Sequence, residues 1–308
     1  MFEYFTSYIK ITFCLICFCM VFELKAQGYS NEIGILSEND SYMMGSKDGY
    51  YTNGLNVSYR WGKNDVSNTL SVGQQMYNAK NGGYDDLKEI DRPVTAYLYI
   101  NYTRSFFVQK DNLLQWSVSL GAIGEMAYGE EMQKLIHEQF RMYKPKAWDF
   151  QLGDAIGVNG SLLWAKEFPL KNKYELQLIA KANAGLFFND IEISPLFRAG
   201  KYNRNNETML WNNRKGGNNR SKNELFFFFS PSIVASMYNV TVQGNMFKKN
   251  KGVFVSDINH FLYKHKIGFY GSFNRLGVKL SINYTTKEAV TQIRDQWYAS
   301  IGLQYLLK

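Results

Sequence analysis

Three adjacent polar residues near the start of the chain could hold a metal ion or a water molecule. Glu38, Asn39 and Asp40 follow a short alternating segment, NEIGIL, and their carboxylate and amide oxygens are the ligands that hard cations such as calcium require. A polar pair, Thr52 and Asn53, follows after a short connection. If the two flanking segments form a hairpin, Asn39 and Asp40 face Thr52 across it. The alternative is a plain polar hairpin of turn-favouring residues.

A helical pattern farther along the chain carries a candidate base. Apolar residues recur at helical spacing within residues 129–148, at Met132, Leu135, Ile136 and Phe140. Pro145 ends the predicted helix. Gln133 and His137 lie one turn apart, so both side chains can address one site. A neutral imidazole can take a proton from water, which is general-base chemistry. The alternative is a helix that packs on a loop and exposes an isolated histidine.

The rest of the chain alternates as β-strands do. In RLGVKLSINYTT (275–286), apolar residues alternate with polar or small ones, so each strand has one apolar and one polar face. We count about twelve such strands, at residues 31–38, 50–62, 68–77, 94–107, 113–124, 153–167, 173–188, 191–202, 225–239, 260–273, 275–287 and 296–307. The last strand reaches the C-terminus, so we expect strand twelve to pair with strand one.

The polar faces of these strands distinguish between two kinds of β protein. A soluble sandwich or barrel would pack apolar faces on each other, whereas a membrane barrel turns its apolar face to lipid and its polar face to the lumen. The chain also has 22 Tyr, 22 Phe and 25 Gly, which suits membrane strands with aromatic ends. The predicted fold class is therefore all-β, an antiparallel transmembrane β-barrel of about twelve strands with one short helix in an inter-strand segment.

The N-terminus has the pattern of an export signal. A lysine precedes the apolar run ITFCLICFCMVF, and small residues follow near Ala26. The run is short for a membrane span of about 20 residues, and a retained anchor is the alternative. All three cysteines lie in this run, so the mature chain would contain none. We expect a signal peptide at residues 1–26 and a barrel domain at 27–308, exported to the bacterial outer membrane.

The net charge of +8 belongs to the mature part, because the charges of the signal segment balance. A basic excess can indicate nucleic acid, anionic lipid or phosphorylated glycolipid as a partner, and export argues against nucleic acid. We expect contact with outer-membrane lipids and a monomeric protein. Residues 203–223 are polar, Asn-rich and basic, which is the composition of a long water-exposed loop.

Four motifs in this order resemble the outer-membrane lipid A deacylases of the LpxR type. They are END with YTNGL, DRP (91–93), the helix with its Gln and His, and P-x-A-W-x-x-Q (145–151), and YNVTVQGN (238–245) resembles a late family segment. The resemblance extends from residue 31 to the C-terminus. It implies a twelve-stranded barrel with the active site between the barrel wall and a helix. It also implies calcium-dependent hydrolysis of the ester that holds the 3′-linked acyloxyacyl chain to lipid A.

By position, the resemblance gives a catalytic set of Asn39, Asp40, Thr52, Gln133 and His137. His137 would activate water, and Ca²⁺ held by Asp40 would neutralise the oxyanion. Asn39 and Thr52 would either donate to the oxyanion or orient Asp40 and the water, and the sequence leaves that choice open.

Further residues extend the predicted site. Glu38 is a second candidate calcium ligand, and Arg92 and Lys144 are candidates for binding lipid A phosphates. Basic loops can instead pack against anionic glycolipid without forming a specific site. The chain departs from the family pattern where DRPVTA (91–96) stands in place of the expected DRPYAG, and where Ala147 replaces glycine. These changes bear on the substrate groove more than on the hydrolytic core.

Three alternatives remain at this point. Ser37 or Ser41 could act as a covalent nucleophile, although the sequence has no G-x-S-x-G elbow. The barrel could be non-enzymatic, as a channel or an adhesin with a calcium-stabilised hairpin. The fold could also act on a different ester, such as a phospholipid.

Overall fold

The computed structural model describes residues 30–43, 49–109, 111–170, 173–216 and 221–307. The predicted signal peptide lies outside the described residues. Twelve antiparallel strands form one closed barrel, which confirms the predicted fold class. The strands are β1 Ser30–Asn39, β2 Tyr51–Lys63, β3 Val66–Tyr77, β4 Thr95–Val108, β5 Asn112–Ile123, β6 Ala155–Pro169, β7 Tyr174–Gly185, β8 Phe188–Lys201, β9 Glu224–Asn239, β10 Phe261–Phe273, β11 Leu276–Thr285 and β12 Gln296–Leu306.

The barrel closes where the sequence predicts. β1 pairs with β2 on one side and with β12 on the other, so Ile33 lies between Tyr59 and Tyr305. The predicted helix is α1, Gly129–Gln139, between β5 and β6, and a one-turn helix α2, Val240–Gln243, follows β9. Short 3-10 turns lie at Ser41–Met43, Leu87–Glu89, Glu125–Ala127 and Ala147–Phe150. Within the described part of the chain, no helix is both long and apolar enough to cross a membrane.

The two-residue period of the strands separates an apolar outer surface from a polar lumen. Outward residues such as Leu55, Val72, Ile100 and Leu120 are 44–52% exposed and form an apolar belt around the barrel. Inward Ser, Asn, Gln and Tyr side chains of β3 to β8 line a polar cavity of about 380 Å³. Because the outer surface is apolar and the interior polar, the barrel is built for lipid outside and water inside.

The two ends of the barrel differ. At one end, which we call the terminal end, β1 begins and β12 ends, and most connections are tight turns. The opposite end, which we call the loop end, carries the long connections 78–94, 124–154, 240–260 and 286–295, together with α1. In outer-membrane barrels the short turns face the periplasm and the long loops face outward. By this rule, the loop end is the end that an outer-membrane barrel places at the outer leaflet.

The β8–β9 connection at the terminal end folds into the lumen. Arg214 is buried and forms an ion pair with Glu32 of β1 at 2.9 Å. Trp211 donates through Nε1 to Gln177 of β7 at 3.2 Å, and the backbone nitrogen of Met209 donates to Glu224 at 2.7 Å. The described residues 202–216 thus form a plug that is bonded to strands around the barrel.

The prediction that residues 203–223 are water-exposed is wrong for this plug. Asn205, Thr208 and Met209 have no exposed surface. The reason is that a polar lumen offers the same hydrogen bonds as water: Asn205 Nδ2 donates to Asp111 O at 3.2 Å, and Thr208 donates to Glu224 at 2.7 Å. Asn-rich composition therefore suits a segment inside a polar barrel as well as an exposed loop.

Candidate active site

The β1–β2 hairpin brings the first two predicted motifs together. Asn39 and Asn53 are register partners, and the backbone nitrogen of Asp40 lies 3.4 Å from the carbonyl of Thr52. A bulge interrupts the pairing of β2 with β3 at Tyr51–Asn53. A bulge places two residues opposite one and re-aims the side chain at that point. Thr52 sits in this bulge with its side chain buried.

The side chains of Asn39 and Asp40 accept hydrogen bonds from backbone groups that follow β1. Asn39 Oδ1 accepts a hydrogen bond from the backbone of Ser41 at 2.7 Å. Asp40 Oδ2 accepts one from the backbone of Gly49 at 2.7 Å. Both side chains thus bond to described residues near the ends of the hairpin connection, Ser41 and Gly49.

A buried chain of hydrogen bonds joins this hairpin to α1. Asn78, the residue after β3, donates through Nδ2 to Thr52 Oγ1 at 3.3 Å and to Gln133 Oε1 at 3.2 Å. The same Gln133 oxygen accepts the indole N–H of Trp148 at 2.5 Å. All four side chains are 2% exposed or less. Asn78 and Trp148 were not predicted as site residues, although Trp148 belongs to the quoted P-x-A-W motif.

His137 lies one turn after Gln133 and is also buried. Its Nδ1 is 2.6 Å from the backbone carbonyl of Tyr143, and the Tyr143 ring packs edge-on at 4.7 Å between centroids. A carbonyl oxygen can only accept, so Nδ1 carries the hydrogen in this contact. The lone pair of the neutral ring is then on Nε2, which is the tautomer of an oriented base. The alternative of a helix that exposes its histidine does not hold.

The buried face of α1 is its polar face. Gly129, Gln133 and His137 recur every four residues and are the buried residues of the helix. Gly129 packs on Ala96 and Trp148 so closely that a side chain would have no room. The apolar residues Met132 and Leu135, by contrast, are 38% and 46% exposed. The helix therefore packs its polar residues Gln133 and His137 against the barrel wall and leaves its apolar residues exposed.

The site lies on the outer surface of the barrel wall. Val72 faces outward, so by the two-residue period Met76 of the same strand does too. Ala96 shares the outward parity of Ile100 on β4. Met76, Ala96, Ala127, Ala147 and Trp148 belong to one buried apolar cluster. Since this cluster is built on outward side chains, α1 and Trp148 are packed against the lipid side of the wall.

The same alternation corrects the prediction that Glu38 is a second calcium ligand. It shares the inward parity of Glu32, and its carboxylate accepts hydrogen bonds from Tyr51 at 2.6 Å and from Ser300 at 2.8 Å. Glu38 therefore lies on the lumen face of β1, on the other side of the wall from α1. The structure does not bring it to the site as a metal ligand.

The burial of Arg92 corrects the prediction that this residue binds a lipid A phosphate. Its guanidinium has no exposed surface, forms an ion pair with Glu288 at 3.0 Å, donates to Thr241 at 3.1 Å, and lies over the Tyr77 ring at 4.4 Å. Arg92 thus ties three loops together and is not placed to meet a lipid phosphate. The second basic candidate, Lys144, is exposed between α1 and Trp148.

The neighbouring residue Asp91 has a similar structural position. It accepts hydrogen bonds from the Tyr50 hydroxyl at 2.7 Å, the Lys80 backbone at 2.8 Å and the Ile293 backbone at 3.2 Å. Burial, and then the hydrogen bond to Asp91, raise the pKa of Tyr50 above its usual range. The DRP motif therefore stabilises the loop end rather than forming part of the site.

The side chains near Asp40 limit which metal ion the predicted site could hold. In the described ranges, no group of three His, Cys, Asp or Glu side chains is close enough to hold a metal ion. The residues that adjoin Asp40, which are Asn39 in sequence and Thr52 across the hairpin, carry amide, hydroxyl and carbonyl oxygens. Calcium accepts such oxygens readily, whereas zinc prefers nitrogen and sulfur. These oxygens are of the kind that calcium accepts, and Asp40 as the carboxylate ligand stays a prediction.

Comparison with known proteins agrees with the barrel fold. A family model described as outer membrane protein LpxR matches residues 11–307. The chain belongs to the LpxR family. The solved structure of LpxR from Salmonella typhimurium is similar in fold, with a TM-score of 0.73 and 18% identity, over 89% of this chain and 99% of that chain. LpxR family membership makes the protein an outer-membrane protein, in agreement with the barrel and its apolar belt.

Other solved barrels are more distant from this LpxR family member. The KdgM porin in complex with oligogalacturonate has a TM-score of 0.42 and 5% identity, over 90% of this chain and 99% of that chain. The translocator domain of the autotransporter NalP from Neisseria meningitidis has a TM-score of 0.43 and 8% identity, over 97% and 96%. Among curated protein sequences, none matches this chain.

Proposed function

We propose that this protein hydrolyses an acyl ester of lipid A in the outer membrane, at the 3′-linked acyloxyacyl chain. The observation that carries the proposal is the contact of His137 Nδ1 with the Tyr143 carbonyl, which leaves the lone pair on Nε2. This base is held on the outer surface of the wall, one turn after Gln133, which Asn78 links to Thr52. A lipid ester reaches that surface without leaving the membrane, whereas a solute in the lumen does not reach it.

The reaction follows from one base and one water. His137 Nε2 takes a proton from water as the water oxygen attacks the ester carbonyl. The tetrahedral oxyanion then collapses, the C–O bond to the sugar breaks, and protonated His137 returns the proton to the leaving oxygen. The products are a free carboxylic acid and a sugar hydroxyl. No covalent acyl-enzyme forms, and neither Ser37 nor Ser41 takes part.

Asn39, Asp40 and Thr52 form the other side of the proposed site. Calcium bound through Asp40 would supply positive charge for the developing oxyanion. Asn39 and Thr52 orient this corner, since Asn39 fixes the turn at Ser41 and Thr52 is bonded to Asn78. Gln133 keeps α1 against the wall through Asn78 and Trp148.

Lys144 is the basic residue that we propose for lipid A phosphate, because it is exposed next to the site.

The channel alternative is less well supported. The plug residues Asn205 and Thr208 occupy the terminal end of the lumen, and both are fully buried there.

The test is the mass of lipid A after incubation with purified protein and calcium. Wild-type protein should remove one acyloxyacyl group, and His137→Gln should lower the rate by about 10²–10⁴-fold, the usual contribution of a general base. His260→Gln is the matched control, because His260 also contacts a backbone carbonyl through Nδ1, at 2.9 Å, but lies at the start of β10. Phospholipid vesicles should lose no fatty acid. Equal rates for the two histidine variants, or release from phospholipid alone, would contradict the proposal.

A further inference from the structure

Helix α1 runs across the strands rather than along them. Gly129 at its start packs on Ala96 of β4, and Gln133 reaches Asn78, which follows β3. Ala96 is the register partner of Met76, and Met76 is the partner of Asn53 on β2. The helix therefore crosses the outside of β4 and β3 at the loop end, with Gln133 farther toward the loop end than Gly129.

The exposed surface of α1 has two chemically different flanks. Successive residues are about 100° apart around an α-helix. One flank carries Glu130, Glu131, Lys134 and Glu138, and Lys134 forms an ion pair with Glu130. The opposite flank carries Met132, Leu135 and Ile136. The buried polar face with Gln133 and His137 lies between them.

The charged flank faces away from the strands. The hydrogen bond with Glu130 raises the pKa of Lys134, and the carboxylates of Asp149 and Glu131 add to this effect. Asp149 lies in the turn just before Gln151, which pairs with Val94 beyond the loop-end limit of β4. His137 borders the charged flank, and the Tyr143 residue that it contacts lies against Gly82 and Gly83, beyond the loop-end limit of β3. The apolar flank on the other side of the helix therefore points toward the belt.

The belt begins directly below the apolar flank. Leu98 and Ile100 follow Ala96 on the outward face of β4, about 7 and 13 Å along the strand at 3.3–3.4 Å per residue. Val72 occupies the same outer surface on β3 and is 46% exposed. The exposed residues Met132 and Leu135 therefore continue an apolar surface that already faces lipid.

We propose that the apolar flank of α1, formed by Met132, Leu135 and Ile136, is immersed in the acyl chains of the outer-leaflet lipid. A helix that crosses the outside of the wall with one apolar and one charged flank has the amphipathic character of interfacial helices. Lipid then presses α1 onto the wall and keeps His137 at the depth of the acyl esters. The proposal concerns the position of α1 and does not require hydrolysis.

Spin labels on single cysteines can measure this immersion. The three cysteines of the chain lie within residues 14–19, so residues 27–308 provide a cysteine-free background. Leu135→Cys is compared with Glu138→Cys on the charged flank of the same helix and with Leu120→Cys in the belt, in liposomes of outer-membrane lipid. Electron paramagnetic resonance then gives the accessibility of each label to oxygen and to a water-soluble nickel chelate.

We expect the label at residue 135 to resemble the label at 120, with high oxygen and low nickel accessibility, and the label at 138 to show the reverse. Nickel accessibility at 135 equal to that at 138 would overturn the proposal. A label at 135 that is shielded from both reagents would also overturn it, because the flank would then be covered by protein. Met132→Cys is the second variant, and heat-dependent gel mobility confirms that each labelled barrel is folded. Lipid A activity is measured separately, so a failure of the proposed function is distinguishable.

Discussion

Replacing Gln133 by leucine tests whether the buried hydrogen-bond chain holds α1 in place. Gln133 Oε1 accepts from Trp148 and from Asn78, and both donors are 1% exposed or less. Leucine has a similar size but accepts nothing. A buried donor without a partner costs about 1–3 kcal/mol. The variant should therefore lose about 2–6 kcal/mol of the local free energy that keeps α1 closed on the wall, from the same range applied to two donors.

The loss should appear as local opening rather than barrel unfolding. Eleven residues form a marginal helix on their own, so α1 depends on these contacts. Hydrogen exchange of the α1 amides should accelerate at least about 30-fold, since 1.4 kcal/mol corresponds to a factor of ten. Strand amides should keep their protection. Lipid A hydrolysis should fall as well, because His137 lies one turn farther along the same helix.

Gln139→Leu is the matched control. It makes the same chemical change at an exposed position of the same helix. It should neither accelerate exchange nor lower activity, because Gln139 lies on the apolar flank of α1, away from the buried hydrogen bonds. If Gln133→Leu and Gln139→Leu exchange equally fast, or if Gln133→Leu accelerates exchange and leaves hydrolysis unchanged, the positioning argument is refuted.

Three further predictions concern calcium, the plug and the loop end. EGTA should lower hydrolysis by wild-type protein but should not lower the residual activity of Asp40→Asn; equal sensitivity to EGTA would count against Asp40 as the ligand. Arg214→Met leaves Glu32 without its closest cation, so it should loosen the plug and raise ion conductance through barrels in planar bilayers, unlike Lys215→Met. Arg92→Met leaves the largely buried Glu288 without its partner, at a cost of about 3–5 kcal/mol. Proteolysis should then cut the loop end sooner than in the exposed-site control Lys88→Met, and equal cleavage would contradict the structural assignment of Arg92.

The strands were predictable because residues of a membrane barrel alternate between an apolar outer face and a polar inner face. The closure of β12 on β1 followed from a strand at the C-terminus, and α1 followed from apolar spacing, although it ends at Gln139 rather than at Pro145. The same alternation of inward and outward residues also shows, from the sequence, that Glu38 does not belong to the site. That residue has the parity of Glu32 and the opposite parity to Ile33 and Ile35, so it had to face the lumen.

Other features depend on contacts between distant segments, which local patterns do not encode. Arg92 is buried because Glu288 and Thr241 meet it from other loops. Asn78 joins the site because β3 ends between Thr52 and α1. The plug is buried because the barrel is wide enough and polar enough to receive it, and composition alone does not distinguish that interior from water.

The measurement that tests the central claim most directly is the mass spectrum of lipid A from cells that produce wild-type protein or His137→Gln. The protein level in the outer membrane and the heat-dependent gel mobility are matched first. We expect wild-type cells to contain lipid A that lacks one acyloxyacyl group, and His137→Gln cells to contain intact lipid A. The same loss in both strains would contradict a histidine-activated ester hydrolase on the barrel wall. Intact lipid A in both strains, together with purified wild-type protein that shows no activity, would contradict it as well.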